Sequence, residues 1–254
     1  MKSKIHEIQN TTNNMSKKIV LAIVAVFTLI ACNKEVNEEA NVHINGDVKG
    51  LSQGKLYLQR IQDSTLVILD SITINGDSKF ESHITLESPE MLYLFLDRGQ
   101  TNSIDNNLPF FAEPGNIKIE TTLKHFFADA KISGSENHDI WKKFDSINRK
   151  FINQNLSLMA KRFKNDLKPN QKTTDSIENE YQKLLKRKYR YTAHFALTHA
   201  NKEIAPYLAL SEIADINTPY LDTIQKSMTP EVAKSKYGKM LNEYVKSRKS
   251  LDAK

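Results

Sequence analysis

From Val42 to about Ser133 the apolar residues fall in short runs, several alternating with polar residues at every second position. That period puts one side of an extended strand in a core and the other in water. The runs are Val42–Ile44, Lys55–Leu58, Leu66–Ile72, Phe80–Leu86, Met91–Leu96, Phe110–Ala112, Ile117–Glu120 and Ala128–Ile132. Turn formers separate them at Ser52-Gln53-Gly54, Asn75-Gly76-Asp77, Asp97-Arg98-Gly99 and Glu113-Pro114-Gly115. Asn75-Gly76, lying between two alternating runs, predicts a hairpin, because a type I′ turn needs positive φ at both central residues. Strands so closely spaced are expected to pair antiparallel. The expectation is an antiparallel β-sandwich or open barrel.

From Asn137 onward the period becomes helical. Phe144, Ile147, Phe151 and Leu158 keep to one face, and Ile177, Tyr181, Leu184, Tyr191 and Phe195 to another. Helices are predicted over about 137–166, 173–200, 205–215, 218–227 and 230–249, with Asn165–Thr174 as the turn between the two long ones. Asp175 with Glu178 resembles a capping box. Thr218-Pro219 and Thr229-Pro230 each set a capping hydroxyl before an N1 proline. The fold class is therefore α+β, strands first and helices after, with no internal repeat.

The N-terminus changes the charge account. Ile19–Ala31 is an uncharged apolar run of 13 residues after Lys17 and Lys18, too short to span a bilayer, which takes about 20. A basic start, a short apolar stretch and a small residue at its end read as an export signal, residues 1–31, with Met15 as the expected start. Leu29-Ile30-Ala31-Cys32 resembles the bacterial lipoprotein box. That resemblance implies cleavage before Cys32 and attachment of a lipid to its thiol. Residues 32–41, polar and acidic, read as a tether. Without the signal, residues 32–254 hold 32 Lys and Arg against 29 Asp and Glu, net +3 rather than +6. The basicity of the whole chain is thus partly the signal's, and a nucleic-acid partner is not expected.

Phe110-Phe111-Ala112-Glu113-Pro114-Gly115-Asn116-Ile117, then Ile132-Ser133-Gly134-Ser135, together with Val42–Leu51 and Lys55–Leu58, resemble the DUF4369 domain of Bacteroidetes thioredoxin-like (TlpA/AhpC-type) lipoproteins. The resemblance covers roughly residues 41–135. It implies a β domain over 42–135 followed by a helical region, 136–254. It also implies a strand running through Asn45-Gly46, where the dipeptide alone suggests a turn, with Gly46 at a bulge or close contact. In that family a thioredoxin fold with a Cys-x-x-Cys site follows, about where this sequence stops. Cys32 is the single cysteine, so no thiol–disulfide role passes to any residue here.

Other chemistry is sparse. His194 and His199, five apart on a helix, sit on different faces, and no histidine pair has metal-ligand spacing. No Gly-x-Ser-x-Gly elbow or phosphate-binding glycine loop occurs. Gly134-Ser135 reads as a helix cap, and Trp141, Tyr189 and Tyr191 as core or seam residues rather than a ligand platform. Lys183, Lys186, Arg187, Lys188 and Arg190 are a solvated helix face and the candidate contacts for an anionic surface or partner. The sequence thus points to a lipid-anchored envelope protein, at the outer membrane facing the periplasm or cell surface. Its expected role is non-catalytic binding or scaffolding, without cofactor or metal. Its expected partners are the membrane, through the lipid, and an envelope protein such as a separate thioredoxin-like protein. The alternative is an accessory or truncated member of the thioredoxin-like family.

Overall fold

Strand pairing follows the side-chain alternation. The structure, a computed structural model, describes residues 40–99 and 103–253. Eight strands form two sheets: β1 (Val42–Lys49), β4 (Lys79–Ile84), β7 (Gly115–Thr122) and β8 (Lys131–Ser133) in one, and β2 (Gln53–Gln62), β3 (Thr65–Asn75), β5 (Glu90–Asp97) and β6 (Asn107–Ala112) in the other. Their orders are β4-β1-β7-β8 and β3-β2-β5-β6. The facing sides of this β-sandwich bury Val42, Ile44, Val48, Leu56, Leu58, Leu92, Leu94, Leu96, Phe110, Ile117 and Ile119 in one core.

Two pairings differ from expectation. β1 and β7 run parallel, Val42 opposite Gly115 through Lys49 opposite Thr122. Antiparallel pairing follows only for strands joined by short links. Residues 50–114, with five strands among them, give β1 and β7 the long crossover that a parallel pair requires. Asn75-Gly76 is not a hairpin turn either: β3 pairs with β2 and β4 with β1, so the dipeptide carries the chain from one sheet to the other. The two-residue hairpin lies instead at Asp63-Ser64, whose φ values of 48° and 67° are those of a type I′ turn made without glycine.

Gly46 lies within the continuous β1, as the resemblance implied. A Cβ there would come 2.2 Å from the Phe80 ring and 2.8 Å from the Ile119 carbonyl oxygen, so the position is a close contact.

Six helices follow: α1 (Glu136–Leu167), α2 (Gln171–Thr198), α3 (Ile204–Glu212), α4 (Thr218–Ser227), α5 (Pro230–Lys234) and α6 (Lys236–Asp252). Ser135 caps α1, accepting from the His138 N–H, and Thr229 caps α5, accepting from Val232, as their sequences suggest. Three expectations are corrected. Asn170 caps α2 by accepting from the Thr173 N–H, so Asp175 and Glu178 lie inside the helix, Glu178 pairing with Arg162 at 2.7 Å. Thr218 is the first residue of α4 and makes no cap; its hydroxyl is buried without a partner among the described residues. The last predicted helix breaks at Ser235, whose hydroxyl accepts from Gly238 and starts α6. Gly238 is required at this corner, since a Cβ would lie 1.9 Å from the Val232 carbonyl oxygen.

A helical core forms around Ala196, Ala205, Ala209, Ile213, Leu221, Ile224 and Leu241. A third cluster joins the two halves: Met91 and Phe111 project from the outer side of the second sheet against Ile140, Phe144, Ile204, Leu208 and Tyr237.

Candidate functional site

Strand alternation gives consecutive residues of β6 opposite duties. Phe110 and Ala112 enter the sandwich core while Phe111 faces the helices. Just beyond, Glu113 receives the first turn of α1: its carboxylate accepts from the Glu136 N–H and from Asn137 Nδ2 at 2.7 Å. A carboxylate at a helix N-terminus meets unsatisfied N–H groups and the positive end of the helix dipole. Asn137 then links this corner to α3, donating to Glu203 at 3.0 Å and accepting from the Ile204 N–H at 3.0 Å. Gly134 has φ 94°, and a Cβ there would lie 2.0 Å from the Asn116 carbonyl oxygen. The segments Phe110–Ile117 and Ile132–Ser135 thus build the joint that aims α1 across the sheet edge.

A second joint lies at the start of α6. The Tyr237 hydroxyl accepts from the Met91 N–H at 3.0 Å, and the Ser88 hydroxyl from the Lys236 N–H at 3.0 Å. Glu90, almost wholly buried, is paired with Arg60 at 3.1 Å and with Lys236. Burial raises the phenol pKa of both Tyr207 and Tyr237 above the usual range.

Between these joints α1 does not close completely on the sandwich. A cleft of about 450 Å³ is left, walled on one side by Leu108, Pro109, Phe127, Ala128, Ala130 and Ile132, and on the other by His138, Trp141, Lys142, Asp145, Ser146 and Arg149. Its volume is within the range of small-molecule sites, about 300–1,000 Å³. Phe127 is positioned through Asp105, whose carboxylate accepts from the Phe126 and Phe127 N–H groups at 3.1 and 3.0 Å and is held by Arg98 at 3.1 Å. The Arg149 guanidinium stands 5.4 Å from the Phe127 ring centre, and its Nε donates to Asp145 at 2.7 Å. Among the described residues, the remaining guanidinium nitrogens of Arg149 and the Lys142 ammonium make no hydrogen bond or ion pair. His138 is buried, and its Nδ1 accepts from the Phe111 N–H at 3.4 Å. Desolvation, then the Lys142 charge, lower its pKa to about 4, so the ring is neutral near pH 7. One apolar wall and one wall with an excess of positive charge suit an apolar molecule bearing an anion.

Residues 42–141 match the family model for a domain of unknown function. They are a DUF4369 domain. The DUF4369 domain supplies the apolar wall of the cleft together with His138 and Trp141, and the continuation of α1 adds Lys142, Asp145 and Arg149. No curated protein matches the chain.

The residues singled out in the sequence are distributed differently. Leu29, Ile30, Ala31 and Cys32 lie outside the described residues. The basic run divides. Lys183, Lys186 and Arg187 line an open groove of about 650 Å³ between α1 and α2 with Lys161 and Gln154, and Arg187 donates to Gln154 at 2.9 Å. Lys188 turns to Glu212 at 2.9 Å, and Arg190 is exposed outside the groove. Residues 159–190 hold ten bases and four acids, a net +6 that leaves the rest of residues 32–254 net negative. Trp141 lies at the seam as expected and also lines the cleft.

Sequence reasoning missed Arg149, Asp145 and Phe127, because the cleft joins three separate segments. It also missed the cross-strand pair His43 and His83, whose Nδ1 atoms stand 2.9 Å apart through the β1–β4 register. Among the described residues no group of three His, Cys, Asp or Glu side chains is placed to hold a metal, and no helix is long and apolar enough to cross a membrane.

Proposed function

We propose that this is a lipid-anchored cell-envelope protein with a non-catalytic binding role, tethered through Cys32. Its seam cleft holds an apolar molecule that carries an anionic group. The observation that carries the binding role is the pairing of an apolar wall, Leu108, Phe127 and Ile132, with Lys142 and with Arg149, whose Nε is held by Asp145 while its other guanidinium nitrogens have no hydrogen-bond or ion-pair partner among the described residues. The apolar part lies against Phe127 and Trp141, and the anion meets Arg149 and Lys142. A neutral His138 leaves the floor uncharged, with Nδ1 committed to Phe111. The anchor rests on the Leu29–Cys32 box and the apolar run before it. Outer-membrane placement, facing the periplasm or cell surface, is part of the same proposal. The groove lined by Lys183, Lys186 and Arg187, in which Lys161 is paired with Glu180 at 3.1 Å, keeps an excess of positive charge that suits the anionic headgroups of such a membrane.

Two experiments test this reading. Calorimetric titration with decanoate should give saturable binding, at least tenfold weaker for uncharged decanol and for Arg149→Gln. Equal binding of decanoate and decanol would remove the anionic half of the site. Intact mass of the chain from membranes should show a lipid adduct on residues 32–254 that Cys32→Ser abolishes; an unlipidated mass contradicts the anchor.

A second reading is favoured by the resemblance of the strand domain to thioredoxin-like lipoproteins: an accessory, or a truncated member, of a thiol–disulfide oxidoreductase system. Specific co-purification of a thioredoxin-like partner, together with no decanoate binding, would favour it.

A further inference from the structure

α1 presents a second face that no helix covers among the described residues. Ile152, Leu156, Met159, Phe163 and Leu167 recur at spacings of four, three, four and four, and are 46%, 56%, 58%, 67% and 69% exposed. The spacing keeps them in one stripe, about 22 Å long at 1.5 Å per residue. At 100° per residue the stripe continues the line of His138, Asp145 and Arg149 that packs against the sandwich. It points away from Lys161, on the groove side, by roughly 160°. Soluble proteins rarely leave so many large apolar side chains contiguous on one surface.

We infer that this stripe is a self-association surface, on which the α1 helices of two copies pack antiparallel about an axis between Met159 and Ala160. In that register Ile152 of one copy meets Leu167 of the other, Leu156 meets Phe163, and the small Ala160 lets the helices approach at the centre. Residues flanking the stripe complete the match. In the same register Lys164 falls level with Asn155, and Arg162, itself paired with Glu178, level with Ser157, so no like charges are opposed; a parallel in-register pair would bring Arg162 level with Arg162 and Lys164 with Lys164. The stripe begins where the sandwich ends and stops at the α1–α2 turn, so each copy's turn reaches only to the partner's seam. With roughly 100 Å² exposed on each of the five side chains, two copies would bury about 1,000 Å² before the flanks are counted, close to the low end of stable interfaces, about 1,200 Å². An antiparallel two-fold pair is closed, so the surface is used up at two copies.

The test uses the full chain in non-ionic detergent. Sedimentation should give a two-chain mass that falls to one chain for Phe163→Asp, while at a dilution where neither protein associates the two denaturation midpoints should coincide, because Phe163 is exposed in each copy. In a Cys32→Ser background, oxidation of an Ile152→Cys chain mixed with a Leu167→Cys chain should give the mixed disulfide dimer well above either chain alone. A one-chain mass for the unaltered protein at about 100 μM overturns the inference. So does a two-chain mass that survives Phe163→Asp, or cross-linking of Ile152→Cys to itself in preference to the mixture.

Discussion

The two ends of α1 carry the same kind of face into different surroundings. Over 138–149 the face meets the edge of the sandwich, with polar and aromatic residues around a cleft. Over 152–167 it is more apolar and stands exposed, with no other element packed on it among the described residues. Burial is therefore not set by side-chain hydrophobicity alone; it depends on whether the fold supplies an opposing surface. Phe144 and Phe163, on faces of the same helix about 100° apart, are 1% and 67% exposed, the first covered by Tyr191 and Phe195. The β2–β3 hairpin repeats the lesson in extended form. Its base lies in the sandwich, whereas its tip, past a register shift at Leu58/Gln59, exposes Ile61, Leu66, Val67 and Ile68. The seam thus combines buried packing with the cleft proposed to hold a ligand, whereas the projecting elements leave apolar surface uncovered among the described residues.

The largest expected effect breaks this comparison most easily. Phe144→Ala should lower unfolding free energy by about 3–5 kcal/mol, through lost transfer energy and a residual cavity. Phe163→Ala should stay within about 0.5 kcal/mol per monomer, measured at a dilution where self-association is absent. Similar costs in urea denaturation would mean that the distal stripe is packed.

His138 sharpens the account of the seam. Between the ordinary histidine value of 6.5 and about 4, the unfolded chain holds a proton on this ring that the folded chain does not. Stability should therefore fall as pH drops through that window and level off below it, by roughly 3 kcal/mol in all. Protonating Nδ1 would also remove the acceptor for the Phe111 N–H. His138→Gln should flatten that part of the pH profile; an unchanged slope would mean that the ring is not buried neutral.

Tyr237→Phe tests the second joint. It leaves the Met91 N–H without its acceptor at a buried position, at an expected cost of about 1–2 kcal/mol. Hydrogen exchange should accelerate at Met91. The smallest effect lies at the exposed hairpin tip. Ser64→Gly should stabilise by about 0.5 kcal/mol, since φ of 67° strains a residue with a Cβ.

Much of the fold was readable because it depends on local period. Alternation located the strands, and apolar spacing located α1 and α2 to within a few residues. The positive-φ glycine of Ile132–Ser135 and the Ser135 cap also depend on neighbours in sequence. What escaped was set by distant partners. The parallel β1–β7 pair and the sheet change at Asn75-Gly76 depend on which strand fills the adjacent place. Asp63-Ser64 lacked the glycine that usually betrays such a turn. The stripe Ile152–Leu167 was legible in principle at four-three-four-four spacing, but the Phe144–Leu158 face accounted for α1's packing and concealed it. The cleft could not be read at all, because Phe127 is placed by Asp105 and Arg149 by a helix that begins thirteen residues earlier.

Trp141 is the single tryptophan and lines the cleft, so its emission reports directly on the central claim. Titration with decanoate brominated near its methyl end should quench Trp141 saturably, with the concentration dependence shifted at least tenfold by Arg149→Gln and unaffected by Lys183→Gln or Lys186→Gln. Absence of quenching, or quenching governed by the lysines of the α1–α2 groove and not by Arg149, would contradict the assignment of the seam as the binding site.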